Sequence, residues 1–356
     1  MNWVKNYMRY ARIDRINAGD ILAKDIVDQR GNILLRATPG MILRENIIQR
    51  LKEKGIKGLY ITDELSKNVI IEEAISSSIR HLATQALEKK SVQDTQMLAA
   101  QIVDNFNSQV EIDLNRMMGE VTYYERALNI CELSVSLGKN LNMSNESLKK
   151  LTASALLSDI ALIMNQEEKE KILDGELQNL KKILLQLPIT ETYPIIGRYA
   201  VSQAHADPMV IHSVYFHKEN EDGTGLVQNL YKKLGINHNC DIRDTAKIIH
   251  ICSDYVDALI QENDFDAARN TIEKGIIEQK YNYELASAFL RFIPIYPIGT
   301  IVNLSNGEKA IVARNNKGNP LSPVIYLETG QEVDLTKTLN VVITGIDNMK
   351  KEAFQK

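Results

Sequence analysis

Cysteine is scarce. Cys131, Cys240 and Cys252 are too few and too scattered for a disulfide framework or a Cys-x-x-Cys metal site. A reducing compartment, the cytoplasm, is therefore expected. Long apolar runs are missing too: none approaches the roughly 18 to 20 residues that span a bilayer, so no membrane segment is expected. The opening residues, Met1-Asn2-Trp3-Val4-Lys5-Asn6-Tyr7, lack the apolar core of a secretory leader. There is no excess of positive charge: 42 Lys and Arg stand against 46 Asp and Glu, a net charge of −4. That balance implies no broad basic surface for nucleic acid. What remains is an ordinary globular complement, 44% apolar over 356 residues, long enough for two or three domains.

The texture changes along the chain. Residues 1–64 alternate strand and turn signals around one amphipathic helix, in which Ile47, Ile48 and Leu51 recur at helical spacing. Between 65 and 121, Ile71, Ile75, Ile79 and Leu82, then Leu98, Ile102 and Phe106, predict helices broken near Ser91, which offer a homodimer seam. Residues 122–292 are helical; Ser144 predicts an N-cap, and Pro188 and Pro194 bracket a break. Past Pro294, short apolar runs at 302–304, 310–313, 324–327 and 339–343 alternate with turns such as Asn306-Gly307 and predict a small β-barrel.

The polar positions of the helical region carry a family likeness. The stretch Leu151-Thr152-Ala153-Ser154-Ala155-Leu156-Leu157-Ser158-Asp159-Ile160-Ala161-Leu162 reads as an apolar helix delivering the doublet Ser158-Asp159 at its C-terminal end. It resembles the "LLHDIGK" segment of HD-GYP domains, the HD-type bacterial phosphohydrolases that cleave cyclic di-GMP. Tyr193-Pro194-Ile195-Ile196-Gly197 resembles the family's "HPxxG". His217-Lys218-Glu219-Asn220-Glu221-Asp222-Gly223-Thr224-Gly225-Leu226-Val227 resembles "HHExxDGxGYP" and keeps Glu219, Asp222, Gly223 and Gly225. Residues 246–259 resemble the closing "AxIIxxxDxxDAL" helix. Asp254 matches its ligand aspartate when counted back from Asp257-Ala258-Leu259; counted forward from Lys247, the spacing is one residue long. The resemblance implies a multidomain chain: a small N-terminal α+β domain (1–64), connecting helices (65–121), a central all-α HD-GYP-like domain (122–292) and a small C-terminal β-barrel (293–356).

The family's reaction is metal-assisted hydrolysis of a phosphodiester, in which the ions activate a water and clamp phosphate oxygens. Its ligand positions read here Arg126, Ser158, Asp159, Tyr193, His217, Lys218 and Asp254. Arg126 and Lys218 bring fixed positive charge that opposes a dication. Ser158 and Tyr193 are poor ligands at neutral pH, and Leu162 replaces a phosphate-contacting lysine. The chain is accordingly read as a degenerate HD-GYP signalling protein with no catalytic residue and no cofactor expected. It would act as scaffold or regulator in a cyclic di-GMP pathway through protein contacts, for example with a diguanylate cyclase domain; no nucleic-acid or membrane partner is expected. The loop from Glu219 to Gly225 is implicated in such contacts in the family, and Leu226-Val227 make its tip apolar here.

Two rival readings stay open. Asp159, His217 and Asp254, with His250 one turn before Asp254, would form a reduced site for Fe or Mn and a metal-dependent phosphodiesterase. Alternatively, Arg126 and Lys218 would contact the phosphates of cyclic di-GMP in a metal-free receptor. The plainest reading of the residues is that Asp159 and Asp254 pair with Arg126 or Lys218, because buried charges must be paired. The retained Asp222–Gly225 turn is then kept for folding.

Overall fold

The structure, a computed structural model, describes residues 7–27, 33–56, 58–107, 110–118, 121–174, 178–236, 238, 240–316, 319–338 and 340–347. Residues 1–6, read above for a leader, lie outside the described residues. The fold is helix-rich with small antiparallel sheets. Among the described residues, no helix is long and apolar enough to cross a membrane. Two compact units emerge. One is built from the described parts of 1–73, 109–116 and 294–356, the other from those of 74–108 and 117–293.

The first unit begins with β1 (Arg9–Arg12), β2 (Ile21–Leu22), β3 (Ile26–Val27), β4 (Ile33–Leu35), α1 (Glu45–Glu53) and β5 (Gly58–Thr62). The sheet order is β1-β5-β2, and β3 pairs with β4. Period-2 alternation turns Leu59 and Ile61 of β5 inward, where they meet Ile48 and Leu51 of α1. The unit is completed by β6 (Ile301–Leu304), β7 (Lys309–Arg314), β8 (Val324–Leu327), β9 (Glu332–Asp334) and β10 (Ile343–Ile346). Met8, Val69 and Ile71 share a core with Ile298 and Ile311, so both ends of the chain build this unit.

The expected barrel is not closed. Its five strands run β10-β6-β7-β8-β9, leaving β9 and β10 as edges among the described residues. Closure requires a consistent stagger carried around every strand. Here β9 has three residues and the β10–β6 pairing shifts register between Ile343 and Gly345, so neither edge offers a long ladder. Leu339, expected to open the last strand, lies outside the described residues.

The second unit contains α2 (Ser77–Glu88), α3 (Val92–Asn105), α4 (Tyr123–Asn140), α5 (Asn145–Leu157), α6 (Gln166–Ile172) and α7 (Gln178–Gln186). Then come α8 (Ile189–Gln203), α9 (Pro208–Phe216), α10 (Leu226–Lys233), α11 (Asp244–Glu262), α12 (Phe265–Ile277) and α13 (Tyr283–Phe292). A capping box starts α4: Thr122 accepts from Glu125 N, and the Glu125 side chain reaches back to Thr122 N. The expected cap at Ser144 starts α5. From Ala127 to Gly138, α4 is buried on every face, as a central helix is. It packs on α5 and α11. Cys131 of α4 and Cys252 of α11 are both fully buried there, with free thiols.

One expectation about α8 needs correcting. Pro188 is its N-cap, but Pro194 lies inside the helix and makes no break. Pro194, the sixth residue of the helix, removes the bond its N–H would make to the Thr190 carbonyl and crowds that oxygen. Burial of Tyr193, Ile195 and Ile196 in the core offsets that loss.

Candidate functional site: a closed ion network

The site forms where the polar ends of apolar helices converge. α5 is buried from Leu151 to Leu157; the chain then turns, placing Asp159 just before the 3-10 turn Ile160–Ile163. α9, capped by Asp207 with Pro208 in its first turn, ends at Phe216 and issues His217, Lys218 and Glu219. Arg126 lies in the first turn of α4, and Asp254 and Asp257 share one face of α11.

Arg126 holds both kinds of neighbour. Its Nε and Nη2 donate to the two oxygens of Asp257 at 2.6 and 2.8 Å, and Nη1 donates to Asp159 Oδ2. The other Asp159 oxygen lies 3.2 Å from His217 Nε2, and His217 Nδ1 donates to the Val214 carbonyl at 2.9 Å. Lys218 donates to Asp254 Oδ1 and Ser253 Oγ, each at 2.7 Å, and stands 3.7 Å from Asp257. Asp254 Oδ2 receives Tyr281 Oη at 2.7 Å and Lys280 Nζ at 2.6 Å. His250 Nε2 also lies 3.3 Å from that oxygen, and His250 Nδ1 donates to Glu219 O at 3.1 Å.

Asp159 is 1% exposed and His217 0%, so these are core contacts. Burial pushes the Asp159 carboxyl up, but the Arg126 guanidinium and the His217 ring hold it well below the usual carboxylate range. Burial likewise raises Asp254, and Lys218, His250 and Lys280 bring it well below its ordinary value. Lys218 is shifted the opposite way: burial lowers it, but Asp254 holds it above the usual lysine value.

A metal ion does not fit this donor set. Asp159 Oδ2 and both Asp254 oxygens already receive hydrogen bonds, Asp159 Oδ1 faces the His217 ring, and two fixed cations stand among them. Among the described residues, no group of three or more His, Cys, Asp or Glu side chains is placed to hold a metal. The structure thus brings Arg126, Asp159, His217, Lys218 and Asp254 together, with His250 alongside. Of the other family positions, Ser158 Oγ donates back to Ala155 O at 3.0 Å and Leu162 is exposed, whereas the Tyr193 ring borders the network, its centroid 5.5 Å from that of His217. His212 bonds Asp241 O and His238 stacks on Tyr231, away from the network.

The retained loop has structural work. Glu219, 2% exposed, accepts from Val227 N at 2.6 Å and Gln228 N at 3.2 Å, capping α10, which has no side-chain cap of its own at Gly225. Asp222 Oδ1 accepts from Thr224 N and Oγ1 at 2.9 and 2.6 Å, an Asx turn, and Gly223 has φ +74°. Burial lifts the Glu219 carboxyl to about 7 against those two amide donors. A folded value above the ordinary 4.5 means this group's contribution to stability is present below about 4.5 and is lost as pH rises through about 7. Glu219→Gln, neutral throughout, is expected to flatten that part of the pH dependence. Melting temperatures of both proteins at pH 5 and pH 7.5 check it; equal slopes would remove Glu219 as the source.

Besides Ser253, three members of the network escaped the sequence reading. Asp257 served only as a landmark, although its i, i+3 spacing from Asp254 put both on one face of α11. Lys280 and Tyr281 sit between α12 and α13, and no motif or period marks them.

No protein-family model matches the chain. Among curated proteins, it is 24% identical over 225 residues to cyclic di-GMP phosphodiesterase PdeB of Borreliella burgdorferi, covering 60% of this chain but only 55% of that protein. It is 21% identical over 322 residues to cyclic di-GMP phosphodiesterase PA4108 of Pseudomonas aeruginosa, covering 78% of this chain and 74% of that one. Among solved structures, it matches Bd1817, an HDG"Y"P protein from Bdellovibrio bacteriovorus, with TM-score 0.44 and 16% identity over 81% of this chain and 96% of that one. Over more than half its length, then, the chain is similar to proteins named cyclic di-GMP phosphodiesterases.

Proposed function

We propose that this protein is a non-hydrolysing regulator or scaffold of cyclic di-GMP signalling, working through protein contacts. One observation carries the reading: the carboxylates that a phosphodiesterase would offer to metal are instead held by Arg126, Lys218 and Lys280. Without a metal-activated water, this arrangement contains no group positioned to attack a phosphodiester. The similarity to cyclic di-GMP phosphodiesterases supports the pathway. Contacts on offer are the exposed turn Asp222-Gly223-Thr224, suited to a signalling domain such as a diguanylate cyclase, and the exposed Leu82 and Met97 of α2 and α3, suited to a second copy.

The test is incubation of the full chain with cyclic di-GMP and added Mn(II) or Fe(II) under anaerobic conditions. No linear dinucleotide or mononucleotide above the protein-free control is expected. Turnover that disappears in Asp159→Asn/Asp254→Asn would overturn the reading. Calorimetry on the same sample separates the receptor alternative: saturable nucleotide binding abolished by Arg126→Ala would replace the scaffold role.

A further inference from the structure

The first unit carries a feature that the regulatory reading does not use. The near-neutral balance of the chain hides a segregation of charge. Residues 1–64 hold 12 Lys and Arg against 8 Asp and Glu, whereas 65–356 hold 30 against 38. The excess is concentrated between 29 and 57, where seven basic residues stand against two acidic ones, with no acid before Glu45. Arg36, Arg44, Arg50, Lys52 and Lys54 are all exposed, and among the described residues none of them meets a carboxylate.

Between the first two of these cations lies an apolar turn. In Arg36-Ala37-Thr38-Pro39-Gly40-Met41-Ile42-Leu43-Arg44 the Thr38 hydroxyl is the one polar side-chain group between the two arginines. Met41 N donates to Thr38 O at 2.9 Å, and Gly40 has φ +75°, as the third residue of a tight Pro-Gly turn requires. Pro39 and Gly40 are exposed, and so is Ile42, at 56%. Ile42 is bridged to Ile21 in antiparallel register, which puts their side chains together on the face opposite the buried Leu22 and Leu43. The two isoleucines therefore form a small aliphatic tip, bracketed by arginines and continued in α1 by further cations.

We propose that the turn 36–44 seats this protein reversibly on an anionic lipid surface. Ile42 and Ile21 would enter the acyl boundary, while Arg36, Arg44 and the cations of α1 lie at the level of the lipid phosphates. Long basic side chains around an aliphatic tip match such an interface, with apolar groups below and charge above. The composition favours lipid over other polyanions. No aromatic residue occurs from 29 to 57, so the stacking platforms of a nucleic-acid groove and the aromatic anchors of a protein interface are both missing there. Contact of this kind lies on the bilayer and needs no spanning helix. Each cation held near an anionic surface strengthens binding about fivefold, and added salt screens it.

The experiment is flotation of the full chain with vesicles of phosphatidylcholine alone or mixed with phosphatidylglycerol, at low and high salt. Wild type should float with the mixed vesicles at low salt, stay behind with the neutral ones, and be released at high salt. Arg36→Gln/Arg44→Gln should weaken binding about 25-fold, two cations at about fivefold each. Ile42→Ser should weaken it about tenfold and leave its salt dependence in place. The three positions are exposed, so each variant should melt with wild type. If the double variant melts lower, Arg36→Gln and Arg44→Gln singly carry the charge arm. Absence of flotation with anionic vesicles, or equal flotation with neutral ones, would overturn the inference. So would binding that Ile42→Ser leaves unchanged, which marks a general polyanion patch, or binding displaced by inorganic phosphate at matched ionic strength, which marks a phosphate pocket. The hydrolysis assay involves none of these residues, so either proposal can fail alone.

Discussion

Asp159→Ala will destabilise the helical unit by about 3–5 kcal/mol, the range for removing one partner of a buried ion pair. The substitution strands Arg126 Nη1 in the core and leaves the Nε2 edge of the fully buried His217 ring without its polar partner. Surface ion pairs contribute about 0–1 kcal/mol, so a loss below 1 kcal/mol in urea unfolding would place this contact among them and sink the argument. Arg126→Met/Asp159→Ala should recover part of the loss, because removing both partners leaves fewer unmatched charges than removing one. Asp257 limits the recovery, since it would then lose its bidentate partner. The pH signature follows from direction. Asp159 and Asp254 are both held below their ordinary 3.8, so their stabilisation is present above that value and fades as pH falls through the depressed ones. Wild type should therefore keep its resistance to acid further below pH 4 than Asp159→Asn does.

Gly225→Ala should cost about 3 kcal/mol, at the upper end of overpacking penalties. A Cβ at Gly225 would lie 2.5 Å from the Lys218 carbonyl oxygen and 2.6 Å from Glu219 Cδ, and well inside contact distance of Glu219 Cα. The first and last of these are backbone, so no side-chain rotation relieves them. Any shift also pulls Glu219 from the amides of Val227 and Gln228, uncapping α10 for about a further 1 kcal/mol. Gly223→Ala is the control. Its φ of +74° imposes left-handed strain of roughly 1–2 kcal/mol, yet nothing lies within 4 Å of the added carbon. Urea unfolding of the two variants, with limited proteolysis across 219–226, separates crowding from strain. Equal losses would sink the crowding argument, since the φ of −74° at Gly225 is one any residue adopts.

The residues foretold the helix that carries Asp159 because its signal is local: an apolar run from Leu151 to Leu157 ending in a polar pair. The Ser144 cap is equally local. The meeting of Arg126 with Asp159 was legible as charge logic, since a buried carboxylate needs a cation and one stood at the matching motif position. What stayed hidden is long-range. Nothing in the spacing makes Asp257 the bidentate partner of a residue 131 positions earlier, or brings Tyr281 and Lys280 to Asp254. Pro194 misled because core burial outweighs one lost hydrogen bond, and the barrel misled because strand spacing says nothing about whether first and last strands meet.

The two buried thiols described above give the helical unit a built-in clock. Cys131 sits on α4 and Cys252 on α11, both at 0% exposure. Burial drives the Cys131 thiol far up and lifts Cys252 to about 12, so almost no thiolate exists in the folded state at neutral pH. Cys252 faces Ser134 of α4, so an alkylating reagent reaches its sulfur only when α4 and α11 part. The rate at which Cys252 is labelled therefore times the opening of the same two helices that Arg126 and Asp257 tie together.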